Sequence, residues 1–111
     1  MINKVVIPAA GMGTRLLTIT KEIPKEMLPL HNRNSNGVIC LKPVVQLVYE
    51  QLFNAGFKEF CFIVGRGKRT IEDHFSPDQR YLARLEESGR SQESRDLEEF
   101  YKKIGKSTII W

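Results

Sequence analysis

The fold of this chain is decided by the stretch Val5-Val6-Ile7-Pro8-Ala9-Ala10-Gly11-Met12-Gly13-Thr14-Arg15 and, soon after it, Pro24-Lys25-Glu26-Met27-Leu28-Pro29. Lys4 to Ile7 is short, mainly apolar and β-branched, which predicts a strand buried on both faces. Gly11 and Gly13 can adopt positive φ and leave backbone N–H groups uncovered, so residues 11–14 are predicted to form an anion-binding nest. Arg15 and Lys25 add two cations, and the arginine fork matches phosphate oxygens in pairs. The stretch therefore predicts a phosphate-binding site after the first strand.

Two better-known glycine motifs do not fit this stretch. Leu16 stands where Gly-x-Gly-x-x-Gly requires its third glycine, so a dinucleotide-binding fingerprint is not met. No Gly-Lys-Ser or Gly-Lys-Thr follows the turn, so a Walker P-loop is not met either. For Gly-x-Gly alone, an ordinary glycine turn with a solvated Arg15 is the alternative interpretation.

Two blocks of the sequence resemble the sugar-phosphate nucleotidylyltransferases. The first is Ala9 to Arg15 with Thr20-Lys21-Glu22-Ile23 and Pro24 to Pro29, and the second is Lys42-Pro43 with Gly65 to Phe75. The wording Ile-Pro-Lys-Glu-Met-Leu-Pro is most similar to that of members that transfer uridylyl groups from UTP to glucose 1-phosphate. A thymidylyltransferase usually lacks that wording. A non-catalytic regulatory relative tends to lose Arg15 or Lys25, and both residues are present.

The resemblance implies a fold and a reaction. The fold is α/β and Rossmann-like, a mostly parallel sheet with helices on both faces, incomplete in this chain, and the reaction gives UDP-glucose and pyrophosphate. Residues 1–111 would be the N-terminal nucleotide-binding part of a longer enzyme and would be inactive alone. The resembled enzymes often form dimers or tetramers, so a homo-oligomer is an open expectation. Mg²⁺ is the implied cofactor, with ligands beyond Trp111 and none in this chain.

The resemblance also implies roles for individual residues. Ala9, Ala10 and Gly11 would border the uridine, with Met12 also among the nucleotide-binding residues, and Gly13, Thr14 and Arg15 would hold the triphosphate. Lys25 would bridge phosphate oxygens at the reacting centre, which makes Arg15 and Lys25 the expected catalytic residues. Glu26 would orient either Lys25 or an edge of the base. Thr14 has an alternative role as the cap of a short helix.

The sequence departs from the resembled pattern at two places. Thr18 stands where the family usually has proline, which loosens the turn but removes no charge. Residues 31–41 form a longer connection than the bacterial pattern has, and they contain the turn formers Asn32, Asn34, Ser35, Asn36 and Gly37. This insertion is predicted to be a surface loop, with a hairpin ending in Val38 to Leu41 as one form of it.

Composition limits the function classes. The chain has 111 residues and a net charge of +4, which makes one modest domain and suits an anionic ligand. No aromatic residues alternate with the basic ones, so nucleic acid is not an expected partner. No leader and no membrane-length apolar run is present, and Cys40 and Cys61 are interpreted as reduced structural thiols. A cytoplasmic location without membrane attachment is therefore expected.

The remaining elements alternate between helix and strand. Residues 43–55 are predicted to form a helix that ends at Gly56, because the residues at helical spacing are apolar: Val44, Leu47, Val48, Leu52 and Ala55. A strand is predicted over 57–64. Two strands joined by such a helix predict a parallel sheet. One further helix is expected from Thr70, with Ile71 and Phe75 inward, and another over 78–87. A polar stretch, 89–94, precedes a last helix that has four apolar residues on one face: Leu97, Phe100, Tyr101 and Ile104. A strand is expected over 107–111. The apolar end of the chain indicates the N-terminal part of a longer protein.

Some notable residues are given ordinary roles. The loop Gly65-Arg66-Gly67-Lys68-Arg69 follows the second strand at the edge where ligands bind in open α/β folds, so it makes either a second phosphate contact or a solvated turn. His74 has no partner at metal-ligand spacing and is predicted to lie on a helix surface. His31 and the glutamate pairs Glu86-Glu87 and Glu98-Glu99 are predicted to be exposed.

Overall fold

The structure is a computed structural model that describes residues 2–11, 13–65, 67 and 69–111. Five strands and four α-helices are present among them: β1 (Lys4–Ala9), β2 (Pro29–Arg33), β3 (Ile39–Pro43), α1 (Val44–Asn54), β4 (Glu59–Val64), α2 (Arg69–His74), α3 (Gln79–Glu87), α4 (Ser91–Gly105) and β5 (Thr108–Ile110). Between β1 and β2 the chain makes three short 3₁₀ turns, Thr14–Leu16, Ile19–Lys21 and Lys25–Met27. Met12, Arg66 and Lys68, which belong to the predicted site and to the second glycine loop, lie outside the described residues.

The central sheet has the order β1-β4-β5, and both pairings are parallel. Ala9 at the end of β1 pairs with Val64 at the end of β4, so the loops that follow these two strands start side by side. Helix α1 lies between β1 and β4 in the chain, as a parallel pair requires. The predicted α/β class with a parallel sheet is confirmed.

One face of this sheet carries the core. Ile7 and Phe62 are buried register partners, and Tyr49 of α1 lies 4.7 Å from Phe60, ring centre to ring centre. Phe75, just after α2, lies 4.9 Å from Phe62, and Phe100 of α4 lies 5.3 Å from Phe75. Such offset aromatic contacts add to the free energy gained by burying apolar area. Helices α1, α2 and α4 therefore pack on the same face.

The opposite face of the sheet is apolar and exposed. Val6, Ile63 and Ile110 point to it and are 58%, 50% and 56% exposed. The prediction that the first strand is buried on both faces is therefore wrong for the described residues. An apolar run predicts burial only if a second layer covers it, and the described helices supply one layer.

The helix predicted over 43–55 is confirmed as α1, and Leu52 packs against the core, but the apolar positions are not the most buried ones. Val48 is exposed, whereas the buried positions are Val45, Gln46, Tyr49 and Glu50. The ring of Tyr49 packs in the core, so its side of the helix faces inward. Gln46 and Glu50 lie on the same side and can be buried because other elements supply their hydrogen-bond partners. The helix stops at Gly56 (φ 108°) as predicted, and the Phe57 N–H donates to the Leu52 carbonyl, which delays the start of β4 until Glu59.

Residues 31–41 lie in an antiparallel hairpin made by β2 and β3. Asn34 organises its tip: Oδ1 accepts from the N–H groups of Asn36 and Val38, and Nδ2 donates to Asp96 of α4 at 3.1 Å. Ser35 donates to Glu99 of the same helix. Helix α4 begins at Ser91, inside the stretch predicted to be a polar connection, and its residues Asp96 and Glu99 hold this hairpin tip.

The other predicted orientations agree with the structure. Ile71, Phe75 and Phe100 are buried, and Leu97, Tyr101 and Ile104 pack against the same core. His31 and the two glutamate pairs are exposed. No helix among the described residues has the length and apolar character needed to cross a membrane.

Candidate nucleotide-binding cleft

A cleft of about 500 Å³ opens at the carboxyl end of β1. Its walls come from the loop after β1, from the segment of 3₁₀ turns and from the region after β4; the lining residues are Ala9, Ala10, Gly11, Thr14, Leu17, Thr20, Lys21, Glu22, Pro24, Lys25, Glu26, Gly67 and Ile71. Ligands bind in open α/β folds at this end of the strands. The structure thus brings Ala9, Ala10, Gly11, Thr14, Lys25 and Glu26 of the predicted site together around one cavity.

The two glycines of the first loop have different roles. Gly13 has φ 65° and ψ 32°, the left-handed conformation that favours glycine, whereas Gly11 is not among the glycines with positive φ. The expectation of positive φ at both positions is therefore wrong at Gly11. There the missing side chain matters for space, because a Cβ would lie 3.6 Å from Lys25 Nζ. The Lys25 ammonium thus lies beside bare backbone, as a phosphate-binding cation should.

Thr20 fixes the Gly13 turn, and the sequence did not assign it a role. Its hydroxyl donates to the Gly13 carbonyl at 2.7 Å, and a Cβ at Gly13 would lie 3.2 Å from Thr20 Cβ. Thr20 is buried although its neighbours Ile19 and Lys21 are exposed. The available signal was its place in the Thr20-Lys21-Glu22-Ile23 spacing, but that spacing alone does not indicate a partner seven residues earlier.

Replacing Thr20 with valine is expected to lower the free energy of unfolding by about 1 kcal/mol, because the shape is kept while the Gly13 carbonyl loses one of its two donors and keeps the Leu16 N–H at 3.0 Å. Thr18→Val is the matched control: Thr18 is exposed, so its change is expected to stay within about 0.5 kcal/mol. Urea unfolding of the protein and both variants measures the difference. Equal stability of the two variants would contradict the role given to the Thr20 hydroxyl.

Lys25 lies on the 3₁₀ turn Lys25–Met27, here called the Lys25 turn. Pro24 precedes it, and the Met27 N–H donates to the Pro24 carbonyl at 2.9 Å. The Leu28 carbonyl accepts from the first N–H of α1, that of Val44, at 3.0 Å. The turn packs against both α1 and α2, so a short segment is fixed from two sides while the Lys25 side chain faces the cleft.

Arg15, Thr14 and Glu26 occupy different positions relative to the cleft. Arg15 is exposed on the Thr14–Leu16 turn and is not part of the cleft wall, so its catalytic role stays a prediction. Thr14 lines the cleft; the cap position before its turn belongs to Gly13, with no side-chain capping bond, so its alternative role as a cap is wrong. Glu26 is half-buried in the cleft wall on the Lys25 turn.

The second glycine loop contributes to the same cleft. Gly67 and Ile71 line it, and a Cβ at Gly65 would lie 3.5 Å from the Ala10 carbonyl oxygen. The two loops are therefore in contact at the sheet edge, as the register of β1 and β4 requires. This position agrees with the predicted placement of the loop at the ligand-binding edge.

His74 is not on the surface, so that prediction is wrong. Its ring stacks on Phe100 with centres 4.9 Å apart, and Nε2 lies 2.7 Å from Gln46 Oε1. Burial lowers the pKa of His74 below its usual 6.5, although the Glu50 carboxylate opposes the shift. The imidazole is therefore neutral at pH 7.

Glu50 is the centre of a buried charge cluster that the sequence did not reveal. Its carboxylate accepts from Lys42 of β3 and Lys103 of α4, both at 2.8 Å, and from Gln46 at 3.3 Å. Burial alone would raise the pKa of Glu50, but the hydrogen bonds from Lys103 and Lys42 outweigh it and lower that pKa below 4.5. The carboxylate is thus ionised and ties three elements together. The signal in the sequence was the Gln46–Glu50 spacing of four residues.

Metal-binding side chains are scarce in this part of the molecule. The described residues contain no group of three or more His, Cys, Asp or Glu side chains that could hold a metal ion.

Lys21 and Glu22, at the cleft mouth, form an exposed ion pair of 2.8 Å, which contributes little to stability.

Comparison with known proteins gives consistent matches. Residues 4–95 match the nucleotidyl transferase family. A Methanocaldococcus jannaschii protein, whose name gives UTP–glucose-1-phosphate uridylyltransferase as a provisional assignment, is 50% identical over 90 residues, which is 81% of this chain and 29% of that protein. The UTP–glucose-1-phosphate uridylyltransferase of Bacillus subtilis is 40% identical over 91 residues, 82% of this chain and 28% of its own length.

Solved structures agree with this assignment. The UTP-bound UDP-glucose pyrophosphorylase of Acinetobacter baumannii matches with a TM-score of 0.80 at 25% identity, over 99% of this chain and 35% of that one. A UDP-glucose pyrophosphorylase complexed with UDP-glucose matches with a TM-score of 0.67 at 35% identity, over 98% of this chain and 34% of that one. The chain thus spans about a third of the length of these proteins. It belongs to the nucleotidyl transferase family.

Proposed function

We propose that the protein carrying this chain transfers the uridylyl group of UTP to glucose 1-phosphate, giving UDP-glucose and pyrophosphate. The observation that carries the proposal is the Lys25 ammonium beside the bare Gly11 backbone, in a cleft at the carboxyl end of β1. The names of the relatives support the same reaction, and two of the matching solved structures are complexes with UTP and with UDP-glucose.

The reaction is an in-line displacement at phosphorus. A phosphate oxygen of glucose 1-phosphate forms a bond to the α-phosphorus of UTP, and the bond between that phosphorus and the bridging oxygen breaks. The electron pair leaves on pyrophosphate. No covalent bond to the protein is required, so binding, orientation and charge neutralisation are the tasks of its residues.

Each task has a candidate in the cleft. Ala9, Ala10 and Gly11 present small side chains or bare backbone where a nucleoside can lie close to the sheet edge. Thr14, with the Gly13 turn that precedes it, would bind the triphosphate through backbone N–H groups. Lys25 would neutralise the charge that spreads over the phosphate oxygens in the transition state. Arg15, which lies on the exposed Thr14–Leu16 turn outside the cleft wall, would contact the leaving pyrophosphate.

We propose Mg²⁺ as the companion of UTP, with its protein ligands outside residues 1–111. The described residues contain no carboxylate cluster suited to hold it. When bound, Mg²⁺ neutralises phosphate charge, and no task of Lys25 or Thr14 depends on a metal ligand in this part of the chain. A cytoplasmic location is proposed on the two cysteines, which are unpaired in the structure.

The proposal is tested by incubating the whole protein with UTP, glucose 1-phosphate and Mg²⁺. Equal amounts of UDP-glucose and pyrophosphate are expected, measured by ion-exchange chromatography and a coupled pyrophosphate assay. Parallel reactions replace UTP with dTTP, or glucose 1-phosphate with galactose 1-phosphate. Faster turnover of dTTP would indicate a thymidylyltransferase, and absence of product with every pair would contradict transferase activity.

A further inference from the structure

A continuous network of side-chain hydrogen bonds connects α2 to α1, and α1 to the hairpin and to α4. His74 is the last residue of α2, and its Nε2 lies 2.7 Å from Gln46 Oε1. Gln46 Nε2 donates to Glu50 Oε1 at 3.3 Å, and Glu50 binds Lys42 and Lys103. No buried side-chain nitrogen or oxygen among the described residues lacks a hydrogen-bond partner, so every buried polar atom of this network is paired.

The direction of the first hydrogen bond follows from the second. Because the Gln46 amide nitrogen faces the Glu50 carboxylate, its oxygen faces His74 and accepts. Nε2 of the neutral imidazole therefore carries the proton and donates it. This hydrogen bond links α2 to α1, and the ring is held in one orientation by its stacking on Phe100.

The two linked helices both contact the Lys25 turn. Helix α1 and helix α2 pack against residues 25–27, and Met27 packs into the core between them. Helix α2 also supplies Ile71 to the cleft wall. A shift of α2 relative to α1 would therefore move the turn that carries Lys25, even though His74 itself is outside the cleft.

We propose that His74 is a positioning residue for Lys25. Its hydrogen bond to Gln46 sets the spacing of α1 and α2, this spacing fixes the Lys25 turn, and the turn places the ammonium beside Gly11. The inference rests on the proposed function, because the effect is read through the phosphate contact of Lys25. Misplacement of a catalytic group by about 1 Å can cost up to about a hundredfold in rate, so a partial shift is expected to cost about tenfold.

The first test compares two replacements of His74 in the whole protein. His74→Phe keeps an aromatic ring against Phe100 and removes the donor, so kcat for UDP-glucose formation is expected to fall about tenfold with a smaller change in KM for UTP. His74→Gln places an amide donor near the original Nε2 position and is expected to recover kcat to within about threefold of the parent protein. Unchanged kcat in His74→Phe would overturn the proposal.

A double-mutant cycle with Lys25→Ala separates positioning from general stability. If His74 acts through Lys25, adding His74→Phe to Lys25→Ala is expected to change kcat by less than about twofold. If His74→Phe lowers kcat by the same factor in the parent protein and in Lys25→Ala, His74 has a structural role only and the proposal is overturned. Gln46→Met breaks the same hydrogen bond from α1 and replaces His74→Phe in the cycle if that variant does not fold.

The two proposals fail in different ways. If the parent protein makes no UDP-glucose, the proposed function fails before the His74 variants are compared. If the parent is active and Lys25→Ala is strongly impaired, but His74→Phe behaves like the parent, the function stands and the positioning role of His74 is excluded. The cycle thus has an interpretable result in each case.

Discussion

Replacing Lys25 with alanine is expected to lower kcat for UDP-glucose formation by about 10²–10³-fold, with the fold intact. Removing one donor that stabilises transition-state charge commonly costs about 3–4 kcal/mol of barrier. Lys25 is positioned for such a role because its ammonium lies beside Gly11 and its turn is fixed by α1 and α2. The side chain is exposed, so its removal leaves no cavity in the core.

Lys21→Ala is the matched control for this experiment. Lys21 lines the same cleft and carries the same charge, but its ammonium is paired with Glu22 at the mouth. A change of less than about threefold in kcat is expected because an exposed, paired cation contributes little to local potential. Steady-state kinetics and a thermal unfolding curve are measured for both variants. Similar kinetics of the two would show that the net charge of the cleft matters and the position of Lys25 does not.

The features predicted correctly from the sequence depend on local patterns. The first strand, the turn at Gly13 and the helix stop at Gly56 each follow from the backbone preferences of a few neighbouring residues, although the strand continues through Pro8 to Ala9. The convergence of Gly11 and Lys25 was predicted through the resemblance of the whole motif, because spacing along the chain does not show which side chain faces which backbone. The cleft confirms that the two segments meet.

The features missed depend on partners far away in the chain. Gln46 and Glu50 were given no role from the sequence, and their buried hydrogen bonds are made with His74, Lys42 and Lys103. The last of these is 53 residues from Glu50, and a helical pattern contains no information about it. His74 was missed for the same reason, since a histidine with one amide partner and the aromatic neighbours Phe75 and Phe100 has no spacing signature.

The exposed sheet face also shows that a local sequence pattern does not determine burial. The apolar character of Val6, Ile63 and Ile110 predicts a buried environment, whereas all three are at least half exposed. Burial requires two layers, and α1, α4 and Phe75 after α2 all place their aromatic rings on the other face. The apolar pattern therefore predicts the strand correctly and the burial of its second face wrongly.

Glu50→Gln is expected to cause the largest loss of stability in this part of the protein, about 2–4 kcal/mol of unfolding free energy. The amide keeps the volume but removes the charge that pairs with Lys42 and Lys103, whose side chains are 18% and 25% exposed. Partial access to water lets these ammonium groups recover some hydration, so the loss is expected below the upper range for a fully buried pair. Urea unfolding at pH 7 measures it.

Glu98→Gln provides the matched control, because Glu98 pairs with Lys102 at 3.4 Å on the exposed surface of α4. An exposed pair of this spacing contributes about 0.3–0.5 kcal/mol, so this variant is expected to be nearly as stable as the parent protein. If both replacements have the same effect, burial of the Glu50 cluster contributes no additional stability.

The pH dependence gives an independent test of the same cluster. Because the pKa of Glu50 is lower in the folded protein than its usual 4.5, folding favours the carboxylate, and its contribution is fully present above that value. This contribution to stability is lost as the pH falls below 4.5 and through the folded-state pKa. Protonation then removes the charge of Glu50 in the parent protein, and glutamine has no charge at any pH. The difference in unfolding free energy between parent and Glu50→Gln is therefore expected to be constant from pH 6 to 8 and to shrink progressively below pH 4.5. A difference that stays the same down to pH 3 would mean that volume and amide geometry, rather than the charge of Glu50, stabilise this junction of β3, α1 and α4.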